Sequence, residues 1–69
     1  MTADILTRLG RRIAEARRER GKTQAQLAEI VGVHANTVAR WERGELSLSA
    51  LHLALVERSL GLSAGYLLA

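Results

Sequence analysis

Glycine stands at positions 10, 21, 32, 44, 61 and 65 of a 69-residue chain that contains no proline. This punctuation constrains the fold more than any other feature. Between the glycines, apolar residues recur at spacings of three and four, the mark of helices with one buried face. Leu6, Leu9, Ile13 and Ala16 make such a face in a first helix over about 4–20. Gly21, Gly32, Gly44 and Gly61 fall where helical patterns stop, and there glycine takes the left-handed conformation without steric cost. No stretch alternates apolar and polar residues as a half-buried strand would. The reading is all-α: five short helices in a single domain, residues 1–69.

The helix starts are also marked. Thr23 and Gln26 form the capping-box pattern T-x-x-Q ahead of a second helix whose inner side is Leu27, Ala28 and Val31. Gly32 ends it and Val33 plugs the corner. A third helix over about 35–43 buries Val38 and part of Trp41. Ser49 caps a fourth over about 50–60, and Ser63 a short fifth at 64–68.

Composition excludes several function classes. There is no Cys, so neither a disulfide framework nor a thiolate metal site supports the core. His34 and His52 are isolated, which predicts no metal site and no cofactor. The chain has no nucleophile–histidine pairing, no carboxylate pair at site-like spacing and no phosphate-cradling loop, so an enzyme with a small-molecule substrate is not expected. No apolar run approaches the roughly 20 residues of a membrane span, and MTADILTRLGRR lacks a basic-to-apolar leader. The expectation is a soluble, cytoplasmic protein without a membrane partner. The net charge is +3, and Arg8, Arg11, Arg12, Arg17, Arg18, Arg20 and Lys22 face only Glu15 and Glu19 within their segment. Such a basic face meets nucleic acid or an anionic surface, or is a solvated helix flank.

Two short helices crossing at a tight turn need a small residue at the crossing, a glycine to reverse the chain and inward apolar residues on both. Counted from Gln24, the fifth position is Ala28, the ninth Gly32, the tenth Val33, the fifteenth Val38 and the eighteenth Trp41. All meet the requirement of a helix-turn-helix.

The run R-x-x-x-G-K-T-Q-A-Q-L-A-E-x-V-G-V-x-x-x-T-V-x-x-W-E-R-G, Arg17 to Gly44, followed by L-G-L-S-x-x-Y-L-L, resembles the lambdoid phage repressor and Cro family, also called XRE-type. The resemblance implies a compact five-helix lambda-repressor-like domain whose third helix enters the major groove, with dimers on an operator of approximate two-fold symmetry. It further implies that Gln24 anchors to the DNA backbone and that Arg17 and Glu42 form a structural ion pair. Three residues depart from the family pattern. His34 replaces the usual Ser or Thr cap of the third helix, Glu45 puts an acid in a loop that often meets phosphate, and Glu57 stands where a small residue is usual, which bears on the packing of the fourth helix.

With Val38 and Trp41 inward, the 3.6-residue period turns Ala35, Asn36, Ala39, Arg40 and Arg43 outward or to the flanks. Asn36 suits adenine N6 and N7, Arg40 suits guanine O6 and N7, and the methyls of Ala35 and Ala39 suit thymine methyls. Thr37 and Arg43 are placed for phosphates, with Arg11 and Arg12 as long-range contributors. Taken singly, Asn36 as a helix-start cap or solvated side chain and Arg40 as a surface ion pair are nearly as good readings; taken together, the base-reading roles are favoured. On the fourth helix, Leu53, Val56 and Leu60 form one face, and Leu51, Ala54 and Leu55 roughly the opposite one. That second face, with Leu46, Leu48, Leu62 and Tyr66, is either covered by the fifth helix or offered to a second copy. The expected function is therefore a repressor-like regulator that binds double-stranded operator DNA as a homodimer, at least on DNA. The alternative is a protein-interaction module, antitoxin-like or regulatory, on the same fold.

Overall fold

The computed structural model describes residues 2–69. Four α-helices follow in order, α1 (Thr2–Glu19), α2 (Gln24–Val31), α3 (Ala35–Glu42) and α4 (Ala50–Ser59), and a single 3-10 turn covers Tyr66–Leu68. No strand occurs among the described residues. None of the described helices is long and apolar enough to cross a membrane.

Local chemistry accounts for the boundaries. The Thr23 hydroxyl accepts from the Gln26 amide at 3.0 Å while the Gln26 side chain accepts from the Thr23 amide at 2.8 Å, completing the capping box of α2. The Ser49 hydroxyl accepts from the His52 amide at 3.1 Å and caps α4. His34 precedes α3 with no side-chain capping bond; it lacks the short side-chain oxygen that accepts from the amides of a first turn. Gly21, Gly32, Gly44 and Gly61 all take positive φ, between 68° and 80°. At Gly32 this lets the amides of Gly32 and Val33 both donate to the Ala28 carbonyl, at 2.9 and 3.0 Å, closing α2 before the turn into α3.

The expected fifth helix does not form. The segment is too short to recover the cost of nucleating an α-helix, and its 3-10 turn is preceded by Gly65 at φ 85°, not capped by Ser63. Its amides are engaged elsewhere: those of Gly65 and Leu67 donate to the Glu57 carboxylate at 3.1 and 3.0 Å. Glu57 thereby corrects a second expectation. It does not disturb the packing of α4, because each of its oxygens accepts a backbone hydrogen bond and the side chain is buried without an orphan polar atom.

The core joins Leu9, Ile13 and Ala16 of α1, Leu27, Ala28 and Val31 of α2, Val38 and Trp41 of α3, Val56 and Leu60 at α4, and Leu67 of the terminal turn. Leu46, Leu48, Leu53, Leu55 and Leu62 pack half-buried against it. Much of the second apolar face is thus consumed within the chain, leaving Leu51, Ala54 and Tyr66 of it exposed. α3 packs on both α1 and α2. Its approach to α1 is close enough to require Gly10, where a β-carbon would meet the Trp41 carbonyl oxygen and stand 2.7 Å from that of Glu42.

Candidate nucleic-acid interface

Packing fixes the orientation of α3. Val38 has no exposed surface and Trp41 has 2%, so the helix is pinned along one side, and its ring at position 41 lies 5.4 Å from His52 of α4 in a tilted arrangement. The other side is open. Ala35, Asn36, Arg40 and Arg43 are exposed, while Thr37 and Ala39 are half-buried. The expected base readers therefore share one strip, with Ala39 half-buried within it.

Three elements meet behind that strip. Arg17 of α1 donates to both carboxylate oxygens of Glu42, Nε to Oε2 at 2.6 Å and Nη2 to Oε1 at 3.0 Å, and its Nη1 donates to the Lys22 carbonyl at 2.9 Å. The two side chains are only 9% and 5% exposed. This two-point contact raises the Arg17 pKa above its ordinary value, so the guanidinium stays charged. Gln24, the first residue of α2, joins the same carboxylate through Nε2 at 2.9 Å. One amide hydrogen and the amide oxygen of Gln24 remain outside this bond.

The cations assigned to phosphate stand differently. Arg43, at the C-terminal cap of α3, donates through Nε and Nη2 to Glu45 at 2.9 and 3.2 Å. Hydrogen bonding from Arg43 holds the Glu45 carboxyl below its ordinary pKa, and the reciprocal bond raises that of Arg43. Arg12 is directed away from α3. Its Nη1 donates to the Tyr66 carbonyl at 2.6 Å and its guanidinium lies 5.4 Å from the Tyr66 ring centre. Arg20 likewise donates to the Leu60 carbonyl. Arg8, Arg11 and Arg18 are exposed.

Gly10 sets the distance between α1 and α3, a role not legible in the sequence. Glu57, read there as bearing on the packing of the fourth helix, holds the terminal turn, and Gln24, assigned there to the DNA backbone, is also bonded to the strut beneath α3. The acid two residues after Arg43 was the one available signal for the Arg43–Glu45 contact.

The helix-turn-helix family matches residues 13–67. Among solved structures, the clp gene regulator ClgR from Corynebacterium glutamicum is 31% identical with a TM-score of 0.88, the match covering 93% of this chain and 68% of that one. The restriction-modification controller protein C.AhdI from Aeromonas hydrophila is 27% identical with a TM-score of 0.85, over 90% and 94% of the two chains. The P22 c2 repressor protein, in complex with a synthetic operator, is 33% identical with a TM-score of 0.82, over 87% and 91%. No curated protein sequence matches the chain.

Proposed function

The chain belongs to the helix-turn-helix family, and on that premise we propose that it is a DNA-binding transcriptional regulator that seats α3 in the major groove of an operator. The observation that carries this reading is the two-sided character of α3, with Val38 and Trp41 buried and Asn36 and Arg40 exposed along one strip. A helix held this firmly from behind presents its outer side chains with little loss of freedom on binding, which favours discrimination between bases.

In this reading Asn36 and Arg40 contact base edges, and Ala35 and Ala39 lie against thymine methyls. Gln24 and Thr37 contact the backbone and set the register, and Arg43 stands beside them with its guanidinium held by Glu45. The Glu42 carboxylate orients Gln24 from behind while it pairs with Arg17. Residues 1–69 act as one domain, and the activity is recognition, not catalysis. A second copy on the DNA supplies the other half-site. Exposed Tyr66 and Leu68, with Ile5, offer the apolar surface that a pairing of copies would cover.

Selection of bound duplexes from a random pool tests the proposal. Enrichment of a common sequence, bound with an affinity that falls steeply with salt, supports it; no enrichment and no binding at low salt would replace it with the protein-interaction module.

A further inference from the structure

We propose that Glu45 restrains the backbone grip of α3 by holding the Arg43 guanidinium in a two-point contact that a DNA phosphate must displace. The proposal rests on the reading of α3 as a DNA-binding helix. Its basis is the geometry at the end of that helix. Arg43 Nε lies 2.9 Å from Glu45 Oε2 and Nη2 lies 3.2 Å from Oε1, so the carboxylate occupies the fork through which arginine takes a phosphate. Both side chains are about half exposed, 54% and 50%. The pair is therefore accessible to a phosphate and opens without disturbing the core.

Glu45 is not on a loose loop. Its amide donates to the Arg40 carbonyl at 2.9 Å, and the Gly44 amide donates to the Trp41 carbonyl at 3.0 Å. Gly44 also lies against the Thr7 backbone, which an added β-carbon would reach at 3.1 Å. The acid is thus held in place beside its cation. The carboxyl is held below its ordinary pKa and remains ionised at neutral pH.

An arginine already neutralised by a carboxylate draws less strongly on a phosphate and releases fewer counterions when it binds. Phosphate contacts strengthen binding to every sequence alike. Glu45 accordingly weakens the sequence-independent part of the affinity and leaves base reading by Asn36 and Arg40 as the larger share. One acid placed two residues after a cation is enough to set that balance.

The test measures affinity of the full chain for a selected duplex and for an unrelated one across a salt series, in wild type, Glu45→Gln, Arg43→Ala and the double variant. Glu45→Gln is expected to bind both duplexes about fivefold more tightly at low salt, the equivalent of an exposed ion pair at the upper end of its usual strength. Its log–log salt slope should steepen by about 0.9, one added phosphate contact. In the Arg43→Ala background the Gln substitution should have no such effect. Unchanged affinity and slope in Glu45→Gln, with wild type binding DNA, would overturn the restraint alone, as would a gain that survives removal of Arg43. Failure of wild type and every variant to bind either duplex would overturn the DNA-binding reading and the restraint with it.

Discussion

Gly10 of α1 and Trp41 of α3 meet backbone to backbone, with the Trp41 carbonyl oxygen occupying the space a Gly10 side chain would need. The same β-carbon would stand 2.7 Å from the Glu42 carbonyl oxygen and 2.9 Å from its carbon. These are main-chain atoms, and they cannot rotate aside. Gly10→Ala should therefore destabilise the fold by about 1–3 kcal/mol, although alanine gains about 1 kcal/mol in intrinsic helix preference. Thermal unfolding checks this; a raised melting temperature would show that α1 and α3 can separate without loss.

Glu57 holds the amides of Gly65 and Leu67 from inside the fold. Glu57→Gln turns one acceptor into a donor facing an N–H group, which should cost about 1–3 kcal/mol. The loss should be local first. Faster hydrogen exchange at Leu67, with α2 and α3 protected as before, is the expected signature.

Arg17 and Glu42 tie α1 to the end of α3, with Gln24 of α2 on the same carboxylate. Arg17→Ala leaves a buried carboxylate with only the Gln24 amide and should lower stability by roughly 3 kcal/mol. Arg17→Ala with Glu42→Gln should lose less than Arg17→Ala alone, because the unpaired charge is gone. Equal melting curves for wild type and Arg17→Ala would remove the strut from the account.

The helix-turn-helix was legible in the sequence because its determinants are local: Thr23 and Gln26 lie three residues apart, Gly32 ends the helix it closes, and Val38 and Trp41 share a face at helical spacing. The Gly10 approach and the Glu57 clasp were not legible, because each depends on which distant segment packs against it. Nothing around Gly10 names Trp41. Glu57 read as an oversized residue at a small site until the amides of Gly65 and Leu67 supplied its partners, and the same bonds explain why the terminal segment forms a 3-10 turn where an α-helix was expected. The donation from Arg12 to the Tyr66 carbonyl, 54 residues along the chain, was likewise not legible. The strip on α3 followed from periodicity, whereas the engagement of Arg43 by Glu45 required side-chain geometry.

Binding to an unrelated duplex should weaken as salt rises, with a log–log slope of about −0.9 for each phosphate engaged. Arg43→Ala should change that slope little in wild type, since Glu45 already holds the guanidinium. A slope that flattens by a full contact would mean that Arg43 reaches phosphate despite the acid.

Base reading by α3 is tested most directly by Arg40→Ala, measured on a selected duplex and on an unrelated one at the same salt. Arg40 is exposed on the open strip, so its removal should leave the fold intact. The expected result is a loss of about 1–3 kcal/mol on the selected duplex with affinity for the unrelated one nearly unchanged. An equal loss on both duplexes, or none on the selected one, would contradict the reading of α3 as the helix that recognises sequence through Arg40.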